Sequence, residues 1–549
     1  MYDCDVLIIG AGPVGLSLAL ELALQKVSFR ILDKEAVPSD KSRANAVQPR
    51  TLEFLNRHGD AQSLVDKGEP IRWGAVVVYN SLVANIELDD FGTKDTRFLT
   101  PVGVSQAETE RFLVQCLSRY GFSIERPLNA RGVSQNDEGV TTIVEGPEGR
   151  QETIRSKYVV GCDGAHSLVR KSSSAKFEGA AYPQDFLLCD AQLANSNIPL
   201  DRFSLCIGLG TLALFPLGNG NMRLVAAGKG IGPEGEPTLE HFETFLARYA
   251  PAGCGTPINP SWITRFRLHH RIVSNYRDGR IFLAGDAAHI HSPAGGQGMN
   301  TGMQDSFNLG WKLASVLKGR AADPEALLDS YNTERRRVGQ YLLNGTDRMF
   351  NFTVSTHWLW ARIRNFIIPW LLPWLAAFPA RRRKFLRFTS QFGVTYRKSP
   401  LVGASTGFVG PVGAGDRLPD GALRDVVSGE ERYLQDICAC GSHSLLLFSG
   451  SSKVEWLSPA ELQAAHETVS GITKDYDLVV ALVISGSDEY LPKDLPHQSY
   501  VDSEGSIHTL FGFNSASYVL VRPDSHVAHI GRLSQLHELL DFLDRWFAR

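Results

Sequence analysis

The chain opens on a continuous apolar run, Val6-Leu7-Ile8-Ile9, closed by Gly10. A short apolar run ended by a turn residue suits a strand buried on both faces. Beyond Pro13, the residues Leu16, Ala19, Leu20, Ala23 and Leu24 recur at the spacing of one helix face. The pattern predicts a β-α-β unit: strand Asp5–Gly10, helix Pro13–Lys26, strand Phe29–Asp33. A helix is expected from Pro49 to about His58. Another is expected over Ser105–Tyr120, capped by Ser105 with Glu108 three residues on. From Gly132 to Tyr158 the pattern alternates and is rich in turn residues, which predicts an inserted β-meander ending in a strand at Tyr158–Cys162. Phe186 to Ala227 reads mainly as β. Strand Arg280–Ala284, helix Gly298–Leu317 and a polar helix from Pro324 to about Leu343 follow.

This interleaving predicts an α/β fold with two interdigitated domains rather than two consecutive ones. Residues 1–180 and 270–345 form the first, a Rossmann-like dinucleotide-binding domain, and 181–269 a β-sheet substrate domain. Residues 346–400 make a helical bridge. The Gly/Pro-rich stretch Pro400–Pro419 reads as a linker. A separate α/β domain occupies 415–549, with strands at Ser444–Phe448, Leu478–Ile484 and Ser517–Val521 and an amphipathic helix Leu533–Phe547.

Composition changes this picture little. With 549 residues, 43% hydrophobic, 21% charged and a net charge of -3, the chain is an ordinary multidomain globular protein without the basic surface that nucleic acid requires. The first apolar run is too short for a signal-peptide core. Eight scattered cysteines, with Cys438-Ala439-Cys440 too tight for a C-x-x-C pair, are expected to be free thiols in a cytoplasmic protein. Phe366 to Phe378 (FIIPWLLPWLAAF) is shorter than the roughly 20 residues a spanning helix needs and contains Pro369 and Pro373. It reads as an apolar bridge packed on the protein, with shallow membrane contact beside Arg381-Arg382-Arg383-Lys384 as the alternative.

Gly10-Ala11-Gly12-Pro13-Val14-Gly15 is a G-x-G-x-x-G sequence between strand and helix, with Asp33 closing the second strand. Gly10 permits the turn, Gly12 lets the backbone approach a pyrophosphate, and Gly15 lets helix and strand pack closely. Asp33, followed by Lys34, suits ribose hydroxyls. The motif predicts a dinucleotide but does not separate FAD from NAD. A second strand ending in small residues and one acid, Arg280 to His289, lies far along the chain, as the second contact of an extended cofactor requires.

Three motifs together resemble the aromatic hydroxylase (class A) flavoprotein monooxygenases over about residues 3–345: the glycine loop, Cys162-Asp163-Gly164-Ala165-His166-Ser167-Leu168-Val169-Arg170, and Gly285-Asp286-Ala287-Ala288-His289. The resemblance implies non-covalent FAD, with NADPH or NADH as transient reductant and O2 as co-substrate. Oxygen adds at flavin C4a, and the peroxide passes one atom to an aromatic, phenolic or polyketide-like small molecule. By the same resemblance, Asp286 and Gln106 lie along the ribityl chain. Arg43 reaches the pyrophosphate, and the Asp163 segment with Arg170 supports FAD and NAD(P)H. Asp163 could instead cap the helix after it, and Arg43 or Arg170 could be a structural charge. The stretch Pro293–Asn300, including Gly296, Gly298, Met299 and Asn300, offers backbone N–H groups at a helix start to a negatively charged reduced flavin.

The substrate is expected over the sheet that includes Phe203, Phe215, Pro216 and Arg223. The phenylalanines fit core packing equally well, and Arg223 either anchors a phenolate or forms a salt bridge. Pro293 and Arg223 are the catalytic candidates. No carboxylate stands between Ala44 and Thr51, so no phenol-activating acid is assigned, and the chain looks closer to polyketide and chlorinated-phenol hydroxylases. Gly415–Asp420 and Val519–Asp524 resemble the family's thioredoxin-like appendage, with His529 where relatives commonly have Trp. Lacking C-x-x-C, this part is expected to serve structure or homodimerisation rather than redox chemistry. No transmembrane segment and no metal site are expected. Baeyer–Villiger insertion by the same flavin peroxide, and ligand sequestration without turnover, are the competing functions.

Overall fold

The computed structural model describes residues 1–38, 44–89, 92, 94–199, 201–228, 236–291, 296–354, 358–439, 441–451, 468–473, 475–486 and 498–548. The strand Cys4–Ile9 lies between Phe29–Leu32 and Gln151–Gly161, parallel to both, and Ile281–Leu283 pairs in parallel with Gln151–Gly161. The predicted meander extends this sheet as the antiparallel strands Asn129–Gln135 and Val140–Glu145. The helix Pro13–Leu24 has Pro at its first position and is buried nearly all round. That is the burial a helix without a polar face demands, and here the helix Gly298–Leu317 supplies the cover. Ser105 accepts from the N–H of Glu108 at 3.2 Å, so the helix Gln106–Arg119 starts at its predicted cap.

The second sheet has eight strands in the order His289–Ile290, Thr256–Val273, Phe177–Ala194, Asn221–Gly228, Gly210–Gly218, Arg202–Ile207, Trp73–Val78 and Ser81–Glu87. Its last two strands come from a segment expected to lie wholly in the first domain. Trp73–Val78 pairs in parallel with Arg202–Ile207, which puts two chain segments more than a hundred residues apart side by side. The expected boundaries near 180 and 269 also run through long strands, Phe177–Ala194 and Thr256–Val273. The two units therefore share more of the chain than the pattern predicted.

The C-terminal sheet contains His443–Phe448, Leu478–Ser485 and Gln498–Asp502 in parallel, with Ser517–Val521 antiparallel to His443–Phe448 and Val527–Arg532 antiparallel to Ser517–Val521. The stretch leading to it is not an open tether. Gly403–Ala404 pairs with Val527–Arg532, and Leu401, Ser405, Arg417 and Leu418 are buried.

Two buried groups of charges join this part to the rest. In one, the Arg522 guanidinium bonds both Glu334 oxygens at 2.6 and 2.9 Å and also pairs with Asp524, while Lys312 Nζ reaches Glu334 at 2.7 Å. In the other, Arg417 bonds Glu53 through Nε at 2.9 Å and Asp95 through Nη1 at 2.9 Å, and Arg50 bonds Glu53 at 2.8 Å. Each group balances two fully buried cations against two carboxylates, and Asp95 also takes the partly exposed Arg387, so the buried charges are matched. Burial alone would raise the Glu334 carboxyl, but Arg522 and Lys312 outweigh it and hold it low. Burial pulls the Lys312 ammonium down to about 8 in spite of Glu334.

Two consequences are measurable. Glu334→Leu leaves Lys312 without its carboxylate and Arg522 with Asp524 alone, and is expected to remove about 3–5 kcal/mol of stability in urea unfolding. Arg131→Ala, which removes an ion pair at the surface, leaves the midpoint unchanged. The second concerns His443, which packs edge-on against Trp311 and is driven by burial from 6.5 to about 3. The unfolded chain takes up this proton as pH falls through 6.5 and the folded chain does not. Wild-type stability therefore falls relative to His443→Leu between pH 6.5 and about 3, by roughly 1.4 kcal/mol per pH unit at most. Asp420, raised to about 6 by burial, acts in the opposite sense, but it is common to both proteins and cancels in the difference.

Candidate active site

The glycine loop follows directly from the strand Cys4–Ile9. Gly10 has φ +104°, and a Cβ there would stand 2.4 Å from the Cys162 carbonyl oxygen. A Cβ on Gly15 would stand 1.9 Å from the Gly10 carbonyl oxygen. Only glycine fits either position. Beside Gly12, by contrast, a Cβ would meet nothing within 4 Å, so the space there is open. Gly12 is the N-cap of the helix Pro13–Leu24 and offers no capping side chain. The helix thus points uncapped N–H groups and the positive end of its dipole into open space, which is what a pyrophosphate requires. Asp33 braces the loop: Oδ2 accepts from the Ala11 N–H at 2.8 Å and Oδ1 from the Glu35 N–H at 2.9 Å. Lys34 is exposed, with Glu35 at 3.8 Å.

The second motif stands beside the first because Ile281–Leu283 and Cys4–Ile9 flank the same strand, Gln151–Gly161. Gly285–Ala287 makes a single 3-10 turn that buries Gly285 and Ala287 and exposes Asp286. The turn is held from below by Asp305, which sequence reasoning missed. Its Oδ2 accepts from the Gly285 N–H at 3.0 Å and lies 2.9 Å from His289 Nε2, and its Oδ1 accepts from Arg335 Nε at 2.7 Å. Arg335 also donates to the Thr301 carbonyl at 3.0 Å and to the Tyr396 hydroxyl at 3.0 Å. Burial alone would raise the Asp305 carboxyl; Arg335 and His289 outweigh it, so the group stays ionised. An acid at a buried position of the helix Gly298–Leu317 was the available signal.

Arg170 ties the Asp163 segment to this turn, donating to the Ala287 carbonyl at 2.9 Å and the Ala165 carbonyl at 2.7 Å. Asp163 itself caps the helix Leu168–Lys171, accepting from the N–H groups of Leu168 at 2.6 Å and Val169 at 3.2 Å, and burial raises its carboxyl. Of its two readings, the structure displays the capping one. Gln106 donates to Glu110 at 2.8 Å.

Arg43, Pro293 and the neighbouring Gly295 lie outside the described residues. From Gly296 onward, Asn300 organises the cradle. Its amide donates to the Ala46 carbonyl at 2.9 Å and the Gly296 carbonyl at 2.8 Å, and its oxygen accepts from the Gln48 N–H at 2.8 Å. Met299 packs against the main core, and the buried Gln297 Oε1 has no hydrogen-bond partner among the described residues. The helix Gly298–Leu317 carries no side-chain cap at Gln297, so its first N–H groups are available to negative charge.

On the second sheet, Phe203 and Phe215 are half-buried with ring centroids 4.7 Å apart, and Pro216 is buried beside them. Arg223 takes one of its two expected roles. It is 0% exposed, and its fork bonds both Asp190 oxygens at 2.7 and 2.6 Å. Its remaining nitrogen donates to Asn45 Oδ1 at 3.1 Å and to the Ala44 carbonyl at 3.2 Å. Of its two expected roles, the structure displays the salt bridge. Arg223 fastens the sheet to the segment before Asn300's partners.

The open space at Gly12, the uncapped helix and the exposed Asp286 beside it fit an extended dinucleotide. Residues 3–346 match the FAD binding domain family. The chain belongs to that family. It is 32% identical to 6-methylpretetramide 4-monooxygenase of Streptomyces rimosus, over 96% of this chain and 91% of the relative. It is 31% identical to pentachlorophenol 4-monooxygenase of Sphingobium chlorophenolicum, over 100% and 97%. Among solved structures, the anhydrotetracycline hydroxylase OxyS from Streptomyces rimosus superposes with a TM-score of 0.73 at 29% identity, covering 100% of this chain and 99% of that one. The protein is an FAD-dependent monooxygenase, an oxidoreductase that uses NAD(P)H and O2.

Asp286 and Arg223 make opposite predictions. Asp286→Ala is expected to weaken FAD about tenfold or more, the loss expected if its carboxylate accepts charge-assisted hydrogen bonds worth roughly 1.5–3 kcal/mol each from the ribityl chain. Arg223→Ala leaves Asp190 unmatched and is expected to destabilise the protein by about 3–5 kcal/mol, with activity lost in step with folded fraction. Flavin titration and thermal unfolding read both. A normally stable Arg223→Ala with a raised KM would return Arg223 to substrate binding.

Proposed function

We propose that this enzyme hydroxylates an aromatic, phenolic or polyketide-like substrate held over the sheet face that carries Phe203 and Phe215. The observation that carries this is the half-buried aromatic pair on the face to which Arg223 fastens Ala44 and Asn45. Relatives that act on a pretetramide and on a chlorinated phenol support the substrate class. When bound, FAD accepts reducing equivalents from NAD(P)H and delivers one atom of O2. The chain supplies position and charge. The Gly10–Gly15 loop and Asp33 hold the cofactor's phosphate and ribose end, Asp286 its ribityl end, and the uncapped start of Gly298–Leu317 favours negative charge on the ring. The half-buried rings present apolar surface to a planar substrate and limit water. No acid stands between Ala44 and Thr51, and Asp190 is committed to Arg223, so neither place supplies a base. The seven cysteines described as free are consistent with the cytoplasm.

A screen of phenols and aromatic polyketides that follows NADPH loss, oxygen uptake and product structure by NMR tests the reading. A hydroxylated product formed in proportion to NADPH consumed is expected, and denaturation is expected to release FAD. Substrate-dependent NADPH loss that yields only hydrogen peroxide across the screen would overturn the substrate class; an ester or lactone product would replace hydroxylation by oxygen insertion.

A further inference from the structure

The helix Trp358–Ala376 is apolar on opposite sides, and the protein covers one of them. Ile368 and the partly buried Leu372 pack on Val78, Ile207 and Leu205 of the second sheet. On that side Arg364 and Asn365 both donate to the Gly208 carbonyl, at 2.7 and 3.0 Å. On the other side Ile363, Phe366, Trp370 and Trp374 follow at helical spacing in solvent, Phe366 and Trp370 each 74% exposed and Trp374 50%. Phe378 and Phe385 continue the exposed strip to the next helix, Pro379–Thr389. The expectation of an apolar bridge packed on the protein thus holds for one face only. A contiguous strip of this kind marks an interaction surface.

Charge indicates what covers it. From Arg348 to Gly415 the sequence holds ten arginines and lysines and no aspartate or glutamate, in a chain whose net charge is -3; of the ten, Arg364 is buried and Arg397 pairs with Asp416. The cationic run borders the apolar strip directly: the Arg381 guanidinium lies over the rings of Trp374 and Phe378, 4.6 and 4.8 Å from their centroids. Arg387 is committed to Asp95 at 3.0 Å, whereas Arg381 and Lys384 are exposed.

We propose that this strip docks the enzyme on an anionic lipid bilayer, with the helix lying in the plane of the interface. Tryptophan rings favour the headgroup level, apolar side chains the acyl boundary beneath it, and neighbouring cations the lipid phosphates. A second copy of the chain suits the strip less well, because a twofold contact would bring two cationic runs together. The surface lies on the bilayer rather than crossing it: the helix contains Pro369 and Pro373, and no helix among the described residues is long and apolar enough to span. This inference does not depend on which substrate the enzyme oxidises.

The test uses the full-length holoenzyme, sedimented with vesicles of phosphatidylcholine alone and of phosphatidylcholine mixed with phosphatidylglycerol. Pelleting with the mixed vesicles, weakened by added salt, is expected, together with quenching of tryptophan emission by brominated lipid. Trp370→Glu with Trp374→Glu is expected to lower vesicle affinity at least about tenfold, and Arg381→Glu with Lys384→Glu to remove the salt-sensitive part. FAD content and melting temperature control for folding. If the tryptophan variant does not fold, lipid quenching in the wild-type protein still decides. Protein that stays in the supernatant with both vesicle types overturns the proposal, as does a concentration-dependent dimer that shields these tryptophans without vesicle binding. Equal pelleting with both compositions overturns the anionic assignment.

Discussion

A charge taken out of water must be matched where it is buried, and this requirement fixes how the separate pieces of the chain meet. Asp305, Glu334, Arg335 and Arg522 are all nearly inaccessible, and none is left with an unbalanced charge. Such pairs add little net stability compared with apolar residues of the same size, but leaving one partner alone is expensive. They therefore act on geometry: an alternative docking of the segments that separates the partners is strongly disfavoured. The pairs stand where residues far apart in sequence come together. Arg522 meets Glu334 across 188 positions, Arg417 meets Glu53 across 364, and Arg223 meets Asn45 across 178.

The same rule reaches the cofactor site. The two halves of the dinucleotide cradle lie more than 250 residues apart in sequence, and their spacing must be held closely for one extended ligand to touch both. Sheet pairing through Gln151–Gly161 sets the coarse position. Asp305 sets the fine one, because one carboxylate bonds the Gly285 N–H, His289 and Arg335 together. Arg335 extends that hold to the Thr301 carbonyl, one residue beyond Asn300, whose own side chain gathers Ala46, Gln48 and Gly296. The turn with Asp286, the uncapped helix start and the loop after residue 43 are thus parts of one hydrogen-bonded assembly. A substitution at Asp305, Arg335 or Asn300 is therefore expected to act on this assembly through geometry rather than through contact with a ligand.

Local patterns carried the first β-α-β unit, the meander, the Ser105 cap and the helix Gly298–Leu317, because each is decided within one or two turns of its own sequence. The glycine loop was legible for the same reason: Gly10 and Gly15 are forced by contacts that any βα turn of this kind makes. What was not legible depends on partners distant in sequence. Arg223 stayed open between a ligand anchor and a salt bridge because its partners, Asp190 and Asn45, lie on other segments and nothing in its own strand announces them. The strands Trp73–Val78 and Ser81–Glu87 join the second sheet through a parallel pairing that no hairpin signal marks. Pro400–Pro419 read as a tether because glycine and proline suit irregular backbone, yet irregular backbone can be buried when its polar groups are bonded, as Ser405 and Arg417 show.

The helix Trp358–Ala376 shows the limit of pattern reading from the other side. An apolar segment too short to span a membrane is ordinarily assigned to the interior, and Ile368 bears that out. Burying one face of a helix settles nothing about the opposite face, however, and a helix that lies on a sheet can be covered on only one side by it. The tryptophans at 370 and 374 are therefore left exposed by the geometry of the scaffold. The same stretch contains no acidic residue, and Arg381 and Lys384 stay exposed beside the strip while Arg387 pairs with Asp95 from another segment. The anchored face holds the helix against the sheet that bears Phe203 and Phe215, so whatever binds the outer face lies one helix diameter from that sheet, about 10 Å.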